Sequence, residues 1–202
     1  MVRLDVELRD CRASVDNLLA LYGSLASLPG GIQKLVAEIV MLRLFDILSE
    51  HLRRITCKVA CGGMYLDGTA PSLLHRSTSM AGAEKAMRTH GRGSKLHNHL
   101  RWSASKYIKE NSVFVIDRRD HLIVTLDSHH MLIDEMRRVR NRIAHNNQGS
   151  RKAYSQVIRR RYGAKVRGVR PGVLLLSTRW SPVPLEEYLR STRVLVRALV
   201  KG

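Results

Sequence analysis

The chain has 202 residues, a length that suits one domain built around a single hydrophobic core. Hydrophobic residues make up 44% of the chain and aromatic residues only 5%, a balance that favours packed helices over a β-sandwich. Lys and Arg number 35 against 17 Asp and Glu, which gives a formal net charge of +18. This excess is larger than solubility requires, and it predicts a polyanionic partner.

Nucleic acid and an acidic membrane surface both fit this charge. No stretch of the sequence approaches the roughly 20 uninterrupted apolar residues that span a membrane. Asp5 and Glu7 stand where a secretory signal would have its apolar region, so we expect a cytoplasmic protein without a membrane segment. Arg outnumbers Lys 26 to 9, which favours two-pronged phosphate contacts, although a GC-rich genome would also raise the share of Arg.

The three cysteines, Cys11, Cys57 and Cys61, form an odd and sparse set rather than a disulfide framework, and we expect reduced thiols. Cys57-x3-Cys61 and His97-x-His99 together contain enough ligands for zinc. Their spacing is poor for a structural zinc site, and two thiols on an apolar helix are more often core residues. We therefore predict neither a metal nor a cofactor.

Apolar residues at three- and four-residue spacing predict helices along most of the chain, with a break at 29–31 and a loop at 62–71. The expected helices are 2–28, 32–60, 79–88, 95–110, 122–144, 150–162 and 185–200. The β-branched run 113–116 is either a short strand or an extended link. These elements predict an all-α, antiparallel bundle of about four to six helices in one domain, 1–202. An irregular insertion is expected around 62–120 and a basic extension around 150–184.

The helix predicted over 122–144 runs into a polar, cationic stretch. Residues four apart lie about 40° from each other around a helix axis, so Asn141 and His145 share a face, with Arg138 and Arg142 beside them. Arg140 lies about 140° away from His145 on a straight helix. The two side chains therefore meet only at a helix end, at a kink or across an interface.

This set of residue types suits RNA cleavage without a metal. Such a reaction needs a group that takes the 2′-hydroxyl proton, a group that protonates the leaving oxygen, and positive charge near the phosphate. His145 suits proton transfer near neutral pH, Arg140 suits phosphate stabilisation, and Asn141 suits orientation of the imidazole or the substrate. One histidine leaves the reaction short of a second proton-transfer group, which a symmetric dimer would supply.

The pattern Arg140-Asn141-x3-His145, closing a helix in an all-α chain, resembles the signature of HEPN-domain ribonucleases. The resemblance implies a helical homodimer that cleaves RNA without metal, often as a toxin or antiviral effector, and possible control by an antitoxin or inhibitor protein. The loop Tyr65-Leu66-Asp67-Gly68-x2-Pro71 resembles the branch related to RiboL-PSP proteins. Asn147 stands two places after His145, where one toxin subgroup has a Tyr whose modification silences it.

Further residues are candidates for binding the RNA around this motif. The cations expected to bind phosphate are Arg137, Arg138, Arg142, Arg159, Arg160 and Arg161. The aromatic residues Trp102, Tyr107, Tyr154 and Trp180 either stack on unpaired bases or fill the core.

Other interpretations stay open at this point. His145 is alternatively a structural residue at a helix end. Arg92 has similar spacing to His97 and His99, but within a Gly-rich stretch. The alternatives to a nuclease are a noncatalytic RNA-binding module and a helical protein-interaction domain.

Overall fold

A computed structural model describes residues 3–90 and 100–202. Within these ranges the chain is all-α, as predicted, with nine α-helices, one short 3-10 helix and no strand. The helices are α1 (Asp5–Gly23), α2 (Gly30–Ala60), α3 (Met80–His90), α4 (Ser105–Ser112), α5 (His121–Ser128), α6 (His130–Ala144), α7 (Gln148–Tyr162), α8 (Pro171–Leu175) and α9 (Pro184–Lys201), with the 3-10 helix at Ser24–Ser27.

Several boundaries differ from the sequence prediction. The helix expected over 122–144 is two helices, because α5 ends at Ser128 and α6 begins at His130. Gly30 and Gly31 lie in the first turn of α2 instead of preceding it. The run 113–116 is a turn whose last residue, Ile116, forms an isolated bridge with Leu73. Helix α8 was not predicted, and Pro171 at its first position has the φ angle that a helix start needs.

The chain divides into two compact units. The first comprises 1–12, 48–133 and 193–202, and the second comprises 13–47 and 134–192. The single domain over 1–202 and the insertions at 62–120 and 150–184 stay predictions. In the part of the chain that the structure describes, no helix is long and apolar enough to cross a membrane.

The first unit is organised around two buried polar groups. Glu7, which is 2% exposed, accepts from His51 Nδ1 at 2.8 Å and pairs with Lys58 Nζ at 2.8 Å. Burial acts to raise the pKa of Glu7, but the contacts with His51 and Lys58 outweigh it and lower the pKa below its usual value. These contacts join the start of α1 to the second half of α2.

The second buried polar group holds the loop that follows α2. Asp120, the N-cap of α5, accepts from the Tyr65 hydroxyl, from Leu122 N at 2.9 Å and from Ser72 N at 2.7 Å. Leu66 N donates to the carbonyl of Val200 at 2.9 Å. The loop 65–71 is therefore fixed by contacts with α5 and α9, a structural role that the residue pattern alone did not predict.

In the second unit, α8 packs closely against the first half of α2. Gly172 N donates to Glu38 Oε1 at 2.8 Å, and a Cβ at position 172 would lie 2.8 Å from the carbonyl oxygen of Lys34. Glycine is therefore required at this contact. The backbone of α8 thus supplies a hydrogen-bond donor to the Glu38 carboxylate.

Candidate active site

The connection between α6 and α7 is only three residues long, 145–147. Helix α6 closes with a hydrogen bond from His145 N to the carbonyl of Asn141 at 2.9 Å. Asn147 then caps α7, since its Oδ1 accepts from Ser150 N at 2.8 Å. His145 is exposed and lies one residue beyond the last residue of α6, at the helix end expected from the sequence.

Arg140 and Asn141 lie together in the last part of α6. Both are half-buried, and Arg140 Nη1 is 3.4 Å from Asn141 Oδ1. The Nε atom of Arg140 is buried without a hydrogen-bond partner. Among the described residues, no hydrogen bond joins the side chain of His145 to Arg140 or Asn141. Arg140 and Asn141, which are neighbours in the sequence, therefore contact each other, while His145 is exposed and, within the described part of the chain, forms no hydrogen bond with either side chain.

Two guanidinium groups converge beside His145. Arg142 Nη1 donates to Asn146 Oδ1 at 2.7 Å, and Arg151 Nη2 donates to the same oxygen at 3.0 Å. Arg142 was a predicted phosphate ligand, whereas Arg151 was not. Position 151 is recognisable only once α7 is known to begin at Gln148, because the first turn of α7 then brings Arg151 back to the connection.

Arg137 and Arg138 share one carboxylate. Arg137 Nη2 lies 2.6 Å from Asp134 Oδ1, and Arg138 Nε lies 2.6 Å from Asp134 Oδ2. Arg138 also donates to the side chain of Gln156 on α7. The two side chains are 28% and 27% exposed, so each keeps part of its guanidinium open to solvent.

Arg161 has a different place from the one predicted for it. Its guanidinium is only 12% exposed and lies 2.5 Å from Glu135 and 2.9 Å from Glu187. Glu135 also accepts from the Tyr188 hydroxyl at 2.6 Å. Burial acts to lower the pKa of Arg161, but contacts with Tyr188 and Glu187 outweigh it and raise the pKa. A guanidinium held by two carboxylates has a structural role, so we no longer assign it to phosphate.

The two residues before Arg161 are more exposed than it is, because a helix turns about 100° per residue and directs them to other sides of α7. Arg160 is 40% exposed and pairs with Glu135, and Arg159 is exposed. The segment 134–161 carries nine Lys or Arg residues and two acidic ones, so most of its positive charge is uncompensated by acidic residues of the same segment.

The aromatic candidates separate by burial. Tyr154 is 5% exposed and is a core residue, and burial raises the pKa of its hydroxyl. Trp180 and Tyr162 are half-exposed and contact each other. In the first unit, Trp102 and Tyr107 are half-exposed, and Arg101 lies over the Tyr107 ring at 5.2 Å. Tyr162 was not among the predicted residues, although its place at the end of a basic helix was a usable signal.

A metal centre finds no support in the described ranges, where no group of three His, Cys, Asp or Glu side chains is arranged to hold an ion. Cys57 and Cys61 are buried, and burial raises the pKa of the Cys57 thiol to about 12. Arg92, His97 and His99, which entered the alternative metal and Arg-His predictions, lie outside the described residues.

No known protein family, curated protein or solved structure matches the chain. The resemblance to HEPN-domain ribonucleases therefore depends on the motif at 140–145 and on the helical pattern.

The buried contacts of Glu135 predict a large effect on stability. We expect Glu135→Gln to lower the free energy of unfolding by about 3 kcal/mol, because it leaves the buried charge of Arg161 partly uncompensated. Asp134→Asn is the matched control, since Asp134 is 31% exposed and its loss should cost about 1 kcal/mol or less. Urea denaturation of both variants measures the difference. Equal losses of unfolding free energy in the two variants would show that the contacts of Glu135 stabilise the protein no more than a surface ion pair does.

Proposed function

We propose that the protein is a metal-independent endoribonuclease that cleaves single-stranded or looped RNA. The observation that carries this proposal is the position of His145, exposed at the end of α6, with Asn141 in the preceding turn and two guanidinium groups on the adjacent Asn146. A titratable imidazole beside cations supplies one of the two proton-transfer groups and the positive charge that metal-free cleavage of RNA requires.

The proposed reaction uses the 2′-hydroxyl of the substrate as the nucleophile. His145 takes the proton of this hydroxyl while its oxygen attacks the adjacent phosphorus. The bond from phosphorus to the 5′-oxygen breaks, and the leaving oxygen takes a proton from a second acid. The products are a 2′,3′-cyclic phosphate and a 5′-hydroxyl. Arg140, together with Arg142 and Arg151, stabilises the charge that develops on the phosphoryl oxygens.

A second copy of the chain is proposed to complete this site. One imidazole does not readily serve as both proton acceptor and donor in a single step, and the second donor in this scheme is His145 of the other protomer. A symmetric dimer also lets Arg140 of one chain approach His145 of its partner, whereas on one straight helix the two residues point about 140° apart.

Two other functions are favoured by separate observations. A noncatalytic RNA-binding module would use the exposed cations of α7, which include Arg151, Lys152 and Arg159. A protein-interaction domain would use the apolar stripe of α2, where Ile32, Leu35 and Ile39 are 47%, 58% and 51% exposed. A toxin or antiviral effector, with an antitoxin or inhibitor as partner, is the context that the family resemblance suggests, and we propose that it acts in the cytoplasm.

The nuclease proposal predicts cleavage in a chelator. Purified protein should cut single-stranded RNA in excess EDTA, and His145→Ala and Arg140→Ala should each lower the rate at least about 100-fold, because each removes a group that acts in the transition state. Affinity for uncleavable 2′-O-methyl RNA should stay within a few-fold of the wild type. His130→Ala and Arg119→Ala, at exposed positions of the first unit, are the matched controls.

Loss of all activity in EDTA, with rescue by a divalent ion, would contradict the metal-free mechanism. RNA binding without cleavage by the wild type would favour the noncatalytic module, and neither binding nor cleavage would favour the interaction domain.

Mixing the two inactive variants tests the composite site. If each site combines Arg140 of one chain with His145 of its partner, a heterodimer of Arg140→Ala and His145→Ala keeps one complete Arg-His pair. After subunit exchange, half of the dimers in an equal mixture are mixed, and each has one such pair but lacks the second His145 that serves as the acid. The mixture should therefore regain activity above that of either variant alone, but less than a quarter of the wild-type activity. No recovery in mixtures shown to contain heterodimers would contradict a site shared in this way.

A further inference from the structure

An aromatic cluster lies at the C-terminal end of α7. The rings of Tyr162 and Trp180 meet edge to face, with centroids 4.9 Å apart and planes at 89°. The guanidinium of Arg179 lies 5.0 Å from the Tyr162 centroid and 5.9 Å from the Trp180 centroid. Both rings are half-exposed. Trp180 is one of the two Trp residues in the chain. Tyr162, Arg179 and Trp180 together form this aromatic cluster.

The aromatic cluster is held in place from one side. Arg161 lies 6.0 Å from the Trp180 centroid, and its guanidinium is fixed by Glu135 and Glu187. Arg179, in contrast, is exposed, and among the described residues no carboxylate pairs with it. Trp180 is thus a positioned ring beside an exposed cation whose charge is available to a ligand.

The position of the cluster relates it to the candidate active site through α7. This helix begins after its cap Asn147 and ends at Tyr162, so a rise of 1.5 Å per residue places its two ends roughly 20 Å apart. Lys152 and Arg159 are exposed and seven residues apart, which puts them on one face of α7 within about 20° of each other. Exposed cations therefore lie on α7 between the connection 145–147 and the aromatic cluster.

We propose that Trp180 and Arg179 form a base-stacking subsite for single-stranded RNA. A nucleobase stacks on the indole ring of Trp180, and Arg179 turns to stack on the same base or to pair with its phosphate. The cations of α7 hold the intervening phosphates. This inference rests on the proposed function. It adds a contact with an unpaired base about one helix length from the scissile phosphate. Because the base must be unpaired to stack, this contact favours single strands over duplexes.

Fluorescence tests the subsite without requiring cleavage. Trp102→Phe leaves Trp180 as the single indole of the chain. A 2′-O-methyl oligonucleotide, which has no free 2′-hydroxyl and is not cleaved, should quench the emission of Trp180 saturably, because a stacked base quenches indole. An abasic oligonucleotide of the same length should bind more weakly and leave the emission unchanged. Equal effects of the two oligonucleotides would overturn the proposal, and so would equal quenching by polyglutamate, which would indicate an acidic protein partner.

Substitution gives a second measurement. Trp180→Ala should weaken binding of the same oligonucleotide roughly 5- to 100-fold, Trp180→Phe should weaken it less, and the control Trp102→Phe should change it little. Should Trp180→Ala fail to fold, the comparison of intact and abasic oligonucleotides still decides, since it leaves Trp180 unaltered. Quenching by RNA that the wild type does not cleave would refute the nuclease and keep the subsite. Cleavage without quenching would refute the subsite alone.

Discussion

The second unit depends on the neutralisation of one buried carboxylate. Glu135 is 7% exposed in the middle of a helix, where an unpaired charge would be strongly destabilising. Its oxygens contact Arg160 and Arg161 of α7 and the hydroxyl of Tyr188 in α9. Tyr188 is itself fully buried, and burial raises its pKa to about 12, so its proton stays available for this contact. The cluster therefore ties α6 to α7 and to the start of α9.

This constraint determines what the connection 145–147 presents to solvent. Glu135 holds α6 and α7 together, and only three residues join the two helices. His145 therefore lies in this short connection and not within a helix. The side chain of Asn147 accepts a hydrogen bond from Ser150 N and so caps the start of α7. Arg142 and Arg151 both donate to the side-chain oxygen of Asn146. The same cluster immobilises Arg161 beside Trp180. The buried cluster around Glu135 thus supports both the proposed cleavage site and the proposed stacking subsite.

The fold class could be predicted from the sequence because the spacing of apolar residues indicates helices directly. The predictions that were wrong, a helix boundary and the role of Arg161, have identifiable physical causes. Periodic apolar residues continue from Leu122 to Ala144, so periodicity did not detect the break at His129, which the cap of α5 and the local backbone determine. The end of α6 was predictable, since His145 is followed by a polar segment with a capping Asn.

The run Arg159-Arg160-Arg161 was interpreted as one basic surface, although helical rotation separates its members. Arg161 shares a face with the buried residues Val157 and Ile158, and this spacing was a usable warning in the sequence. Its partners were not predictable, because Glu135 and Glu187 lie 26 residues away on either side. The catalytic roles are inferred from the chemistry of exposed side chains. Apolar periodicity predicts which residues are buried, so it does not indicate which exposed residues are catalytic.

The most direct test of the account is the chemistry of the cleaved ends. Wild-type protein in EDTA should convert a defined single-stranded RNA into fragments with 2′,3′-cyclic phosphate and 5′-hydroxyl ends, as mass spectrometry of the products would show. A single 2′-deoxy substitution at the cleaved position should stop cutting there, because it removes the nucleophile. Fragments with 5′-phosphate ends, or undiminished cutting at the deoxy position, would contradict the proposed mechanism.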